Sequence, residues 1–197
     1  MPLPSYDETR TEMSMFDALL KARRDFGASK EILWDGNDDR KLSYNEVVRA
    51  AFALGHALKK MTAKGEHVGI MLPTSAGAVI AFFALHAFGR IPAMLNFTAG
   101  ERAVKAALKL GRIKTVLTAK RFIEIGKLED LVDDLKGVSN LVYLDDLREN
   151  LTLGDKLTAL VGSKLPGLFK ARVKPVDPGV ILFTSGTEGD PKGVVLS

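Results

Sequence analysis

His67-Val-Gly-Ile-Met-Leu72-Pro73-Thr74-Ser75-Ala76-Gly-Ala-Val-Ile-Ala-Phe-Phe-Ala-Leu-His86-Ala-Phe-Gly89-Arg90-Ile-Pro92-Ala-Met-Leu95 is the stretch on which the fold turns. From Val68 to Gly89 it carries no Lys, Arg, Asp or Glu. Length alone would let such a run cross a bilayer. Pro73-Thr74-Ser75 interrupts it, however, and Ser75 is a good helix N-cap. The run therefore reads as a buried strand (His67–Leu72), a turn, a buried helix (Ala76–Gly89) and a second strand (Pro92–Leu95). A strand–helix–strand unit apolar on every side implies a parallel sheet covered by helices.

The flanking sequence repeats that alternation. Met15–Phe26 places Phe16, Leu19, Leu20 and Phe26 at helical spacing, and Glu31–Trp34 reads as a short strand. Ser43-Tyr44-Asn45-Glu46 has the spacing of a capping box before a helix running to about Lys60. Thr98-Ala99-Gly100-Glu101 carries the same signature before a helix ending near Gly111. Further strands are expected at Thr115–Thr118, Leu141–Leu144 and Val180–Thr184. Helical patterns around Arg121–Lys136 and Asp146–Leu160 fill the gaps, and Gly162–Pro175 reads as an irregular connection. The fold class is α/β: a largely parallel sheet with helices on both faces, joined by right-handed crossovers. Residues 1–12 read as a leader or linker, and 13–197 as one unit. Val194–Ser197 reads as a strand without a closing turn or cap, which suggests part of a longer domain.

Composition narrows the function classes. The 197 residues are 46% hydrophobic and 26% charged, which excludes disorder or a coiled coil for the whole chain. Cysteine is absent, which removes disulfides, thiolate metal sites and a cysteine nucleophile. The three histidines, His56, His67 and His86, form no close-spaced ligand pair. Net charge is +4, but basic and acidic residues interleave, as on a solvated surface, so no nucleic-acid interface is expected. The first residues are polar and contain no secretory core.

One segment carries chemistry: Val180-Ile-Leu-Phe-Thr184-Ser185-Gly186-Thr187-Glu188-Gly189-Asp190-Pro191-Lys192-Gly193-Val-Val-Leu-Ser197. A loop of hydroxyls and glycines lies between two β-like runs. Gly186 and Gly189 let backbone N–H groups approach an anion, and Thr184, Ser185 and Thr187 add hydroxyl donors. Lys192 adds a mobile charge. Several donors plus a lysine suit polyphosphate. The loop is not a Walker A motif, because Pro191 precedes Lys192 and a strand follows. A plain β-hairpin turn is the competing reading, since these are turn residues. Turn chemistry accounts for Gly189-Asp190-Pro191 but does not require the Thr-Ser-Gly-Thr run.

Thr184–Gly193 closely resembles the phosphate-binding signature of the acyl-adenylate-forming (AMP-binding) enzymes. Leu42-Ser43-Tyr44-Asn45-Glu46-Val47 and Leu85–Ala93 are similar to two further family segments, in the same order. The resemblance runs from about Met13 to the end. Arg90–Gly100, Ile113–Val116 and Ile181–Gly189 resemble most closely the synthetase half of the bifunctional 2-acylglycerophosphoethanolamine acyltransferase/acyl-[acyl carrier protein] synthetases.

The resemblance implies an ATP- and Mg²⁺-dependent ligase that activates a fatty acid as its adenylate. The acyl group then passes to the phosphopantetheine thiol of acyl carrier protein or coenzyme A. A separate acyltransferase domain would use it on a lysophospholipid, on the cytoplasmic side of a bacterial inner membrane. It further implies that Thr184, Ser185, Gly186, Thr187, Glu188, Gly189 and Lys192 hold the nucleotide phosphates. Glu188 departs from the Ser or Thr usual in the superfamily, although Glu is the residue expected in the closer branch. The family's adenine, ribose and catalytic-lysine motifs follow this loop, so no catalytic residue is expected within 1–197 and the isolated chain is expected to be inactive. Nor does any histidine precede an Asp by five positions, as the acyltransferase half requires; Met61, Leu72 and Ile91 stand there. A non-catalytic anion-binding or docking module is the reading from a different class, and a fatty acyl-CoA synthetase the alternative within it.

Elsewhere ordinary structural roles are expected. His86, Phe82, Phe83 and Phe88 read as core, Trp34 as core or sheet edge, and Asp145-Asp146 as a strand end and helix cap. Lys120, Arg121 and Lys127 read as a solvated helix face.

Overall fold

The computed structural model describes residues 12–36, 39–184 and 191–197. Helix α1 (Met15–Phe26) begins where the Ser14 hydroxyl accepts the Asp17 N–H at 3.2 Å. Strands β1 (Glu31–Asp35) and β2 (Arg40–Ser43) form an antiparallel hairpin that is a sheet of its own. β2 runs directly into α2 (Tyr44–Lys59) through the expected capping box. Glu46 Oε2 accepts the Ser43 N–H at 2.8 Å, while Ser43 Oγ accepts the Glu46 N–H.

The remaining strands are β3 (His67–Ile70), β4 (Ile91–Met94), β5 (Thr115–Thr118), β6 (Asn140–Tyr143), β7 (Val180–Thr184) and β8 (Lys192–Leu196). They form one sheet in the order β6-β5-β3-β4-β7-β8, parallel throughout except for the antiparallel β7–β8 pair. Helix α3 (Ala76–Ala87) links β3 to β4, and α4 (Glu101–Leu110) links β4 to β5. Helices α5 (Lys120–Gly126) and α6 (Glu129–Lys136) precede β6. Helices α7 (Leu144–Glu149), α8 (Leu153–Lys164) and α9 (Pro166–Phe169) lie between β6 and β7.

Both sheet faces are covered. On one, Val68 and Ile70 of β3 meet Ala81 and Leu85 of α3, with Leu58 of α2 behind them. On the other, Ala93, Val116 and Ile181 meet Val104, Ala107, Val132 and Leu135 of α4 and α6. A further cluster joins α1, α2 and α3 around Phe52, whose ring meets Phe16 and Phe88 edge-on at 5.3 and 6.2 Å between centroids. Gly89 makes the turn from α3 into β4 at φ +70°, a conformation L side chains rarely adopt, and a Cβ there would meet Ala171 at 3.0 Å. Among the described residues no helix is long and apolar enough to cross a membrane, which resolves the Val68–Gly89 run as strand plus helix.

Several local expectations are corrected. Thr98 does not start α4. Asn96 Oδ1 accepts the Thr98 N–H at 3.1 Å and closes a 3₁₀ turn over Phe97–Ala99, leaving Gly100 as the cap. The helical pattern over 121–136 is two helices, broken where Lys127 takes the left-handed conformation at φ 51°. That over 146–160 is also two, because Thr152 and Asp155 form a second capping box. Asp145 and Asp146 do not cap α7. Asp145 accepts the Lys120 N–H at the start of α5, and Asp146 pairs with the Lys120 ammonium. The 162–175 connection is helical through α9, whereas Trp34 meets the sheet-edge alternative, exposed on β1 with its Nε1 donating to Asp39.

Candidate functional site

The order of the strands locates the site. The chain leaves β3 over one face through α3 to reach β4, and leaves β4 over the opposite face through α4 to reach β5, on the far side of β3. The carboxyl ends of β3 and β4 therefore flank a topological switch point, where open α/β sheets form their ligand crevice. β7 lies beside β4 in parallel, with Ala93 opposite Ile181 and Met94 opposite Leu182. Thr184, two residues further along β7, stands at this same carboxyl edge.

Lys192 faces Thr184 directly across the antiparallel β7–β8 ladder. The register thus closes the two ends of the 185–190 segment together at the carboxyl edge of the sheet. Ser185, Gly186, Thr187, Glu188 and Gly189 lie outside the described residues. Of the expected site residues, the structure brings together Thr184 and Lys192. Lys192 is exposed, as is every residue of β8, so its ammonium contributes charge and little packing.

Neighbouring elements fix the crevice walls. The start of α3, directly after β3, is held by the Ser75 hydroxyl on the Ala78 N–H and by Asp35 Oδ2 on the Ala76 N–H at 2.7 Å. The second cap comes from the β1–β2 hairpin; no local sequence signal points to it. Arg90 opens the β4 segment but serves structure. It is buried, and its guanidinium donates to the Thr62 hydroxyl and carbonyl and to the Phe88 carbonyl, tying the end of α2 to the end of α3. His86 is buried on α3 with Nε2 unpartnered, and burial pushes its pKa down to about 4, so it is a neutral core histidine at neutral pH. Thr118, at the carboxyl end of β5, is fully buried with an unpartnered hydroxyl. Among the described residues no group of three or more His, Asp or Glu could hold a metal ion.

The carboxyl edge next to the switch point thus carries Thr184 and Lys192, a hydroxyl and a cation that could face an anion. The chain belongs to the AMP-binding enzyme family, whose model matches residues 21–197. It is 28% identical over 184 residues to an acetyl-coenzyme A synthetase of Shewanella denitrificans, covering 83% of this chain and 28% of the relative. It is 28% identical over 176 residues to 4-coumarate-CoA ligase 1 of Narcissus pseudonarcissus, covering 86% of this chain and 30% of the relative. The chain therefore spans under a third of the length of these relatives. Among solved structures it superposes on VinN in complex with 3-methylaspartate with a TM-score of 0.74 and 20% identity, over 93% of this chain and 47% of that one. The N-terminal subdomain of Klebsiella oxytoca NpsA gives 0.66 and 21%, over 95% and 42%. These two likenesses establish the fold.

Proposed function

We propose that this chain supplies the phosphate-holding segment of an AMP-forming acid–thiol ligase. The observation that carries the proposal is the pairing of Thr184 with Lys192 at the carboxyl edge, within a segment the family model covers. In the reaction a carboxylate attacks the ATP α-phosphate, giving acyl-adenylate and pyrophosphate, and a thiol then displaces AMP. The part played here is electrostatic. Thr184, Ser185, Gly186, Thr187, Gly189 and Lys192 hold the β- and γ-phosphates and stabilise the departing pyrophosphate. Glu188 belongs to the same loop, where its carboxylate would repel the anion unless Mg²⁺ or Lys192 intervenes. Mg²⁺ would be held by the nucleotide's own phosphates and would neutralise part of their charge.

The acid is a fatty acid, and the thiol is that of acyl carrier protein in a lysophospholipid reacylation system at a bacterial inner membrane. The segments Arg90–Gly100, Ile113–Val116 and Ile181–Gly189 support this reading. Coenzyme A as acceptor is a second reading, favoured by the names of the curated relatives.

Acid-dependent ATP–pyrophosphate exchange in the intact protein carrying this chain tests the proposal. Exchange with palmitate followed by loading of holo-acyl carrier protein is expected. Transfer to coenzyme A alone would select the second reading. Nucleotide binding with no exchange for any acid would overturn the ligase reading in favour of a non-catalytic anion-binding module.

A further inference from the structure

Helix α8 is packed inside out. Its inward face consists of Asp155, Thr158, Ala159, Gly162 and Ser163, all buried and mostly small. Gly162 lies so close to Phe52 of α2 that a Cβ would meet the ring at 3.0 Å. The anchor on this face is ionic: Asp155 accepts from Nζ of Lys60, the residue that ends α2, at 2.9 Å and lies 2.7 Å from His56 Nδ1 on α2. The large apolar side chains point the other way. Leu153, Leu157, Leu160 and Lys164, spaced four, three and four apart, share one face. Leu153 is 79% exposed and Leu157 59%, and α9 continues the stripe with Leu168 at 75%.

The segment carrying this stripe is basic, with Glu46 beside Lys156 and Asp17 beside Lys164 as its acidic neighbours from other helices. Lys156, Lys164, Lys170, Arg172 and Lys174 fall within 153–174, where the sole acid is the buried, paired Asp155. At the end of the stripe a concavity of about 820 Å³ opens between α1 and α9, lined by Asp17, Lys21, Arg23, Arg24, Lys164 and Lys170. Asp17 is already paired with Lys170 at 2.8 Å.

We propose that α8 and α9 form a peripheral docking face for an anionic lipid bilayer surface, the leucines entering the interface and the surrounding cations meeting lipid phosphates. An apolar stripe framed by Lys and Arg is the chemistry that partitions into anionic interfaces. Lys156 and Lys164 flank the leucines on α8, a pairing of apolar and cationic side chains that suits an anionic interface. The inference stands on these residues and does not rest on the ligase reading.

Flotation of the 197-residue chain with phosphatidylcholine vesicles, with and without phosphatidylglycerol, tests it. Binding to the anionic vesicles and its loss on adding salt are expected. Lys156→Gln with Lys164→Gln should lower the partition coefficient about 25-fold, from a contribution of about 1 kcal/mol per cation. Leu157→Gln with Leu160→Gln should lower it by about tenfold or more. Both pairs are exposed, so the melting temperature should hold, and Ile125→Gln, an exposed control on α5, should change nothing. Equal binding to neutral and anionic vesicles, no binding, or indifference to both double variants would overturn the proposal. So would a dimer or protein complex dissolved by the leucine pair without vesicle binding. Acid-dependent pyrophosphate exchange in solution needs no vesicle, so a failure here leaves the ligase reading standing, and the reverse also holds.

Discussion

The β3–α3–β4 unit and the β7–β8 hairpin share one sheet but are built on opposite terms. In the first, Val68, Ile70, Ala81, Ala84, Leu85 and Ala93 are buried between two helical layers. In the second, only Ile181 of β7 is buried and all of β8 is exposed. The first region fixes where the carboxyl edge lies. The second presents the Thr184 hydroxyl and the Lys192 charge at that edge from largely exposed strands. Substitutions should therefore divide: those behind the central unit should be read out in stability, and those at the hairpin mouth in turnover.

Phe52→Ala should show the largest stability loss, about 3–5 kcal/mol, because it empties a fully buried ring site between Phe16, Phe88 and Gly162. Urea unfolding of the chain measures it. A loss under about 1 kcal/mol would mean that the three-helix layer repacks freely, and the comparison would fail at its rigid end.

His86 should make the central unit acid-sensitive. Its pKa is lowered by burial from 6.5 to about 4, so through that window the unfolded chain binds a proton the native state excludes. Stability should accordingly fall as pH drops from about 6.5 to 4, by up to about 3 kcal/mol at roughly 1.4 kcal/mol per unit. His86→Leu should flatten this part of the profile. An unchanged slope in the variant would assign it to other groups.

Asp155 should matter somewhat less and at lower pH. Burial works against its charge, but hydrogen bonds from Thr152, His56 and Lys60 prevail and hold the carboxyl well below the usual carboxylate range. Its contribution is present above the ordinary carboxylate pKa and is lost as pH falls below it. Asp155→Asn should cost about 1–3 kcal/mol in urea unfolding at neutral pH, since Lys60 reaches solvent and recovers part of its hydration.

What was legible in the sequence follows the same division. The uncharged run with Pro73-Thr74-Ser75 in its middle announces β3, α3 and their turn, because burial on both faces leaves no room for charge. Ser43 and Glu46 announce α2 through a local box. β2 was hidden, since Arg40-Lys41-Leu42-Ser43 has a single apolar residue and takes its meaning from pairing with β1. The splits between α5 and α6 and between α7 and α8 depend on one left-handed residue and one polar cap, which a helical periodicity reads through. At the candidate site the two β-like runs around the loop were legible, and their register pairs Thr184 with Lys192. The Asp35 cap on α3 was not, because it joins residues 41 positions apart. Nor was the packing of α8, which depends on Asp155 reaching His56, 99 positions away, and on Gly162 lying against Phe52.

The proposed phosphate role of the hairpin is tested most directly by Lys192→Ala in the full-length protein, with kcat/KM for ATP and the melting temperature measured on the same preparation. Lys192 is exposed at the mouth of the β7–β8 ladder, so stability should stay within about 0.5 kcal/mol of the parent. Loss of a charge placed on departing pyrophosphate should lower kcat/KM by roughly 30- to 1000-fold. A loss below about threefold would return Lys192 to the role of an ordinary turn residue, and a large loss accompanied by a collapsed melting temperature would make it structural; either result contradicts the account.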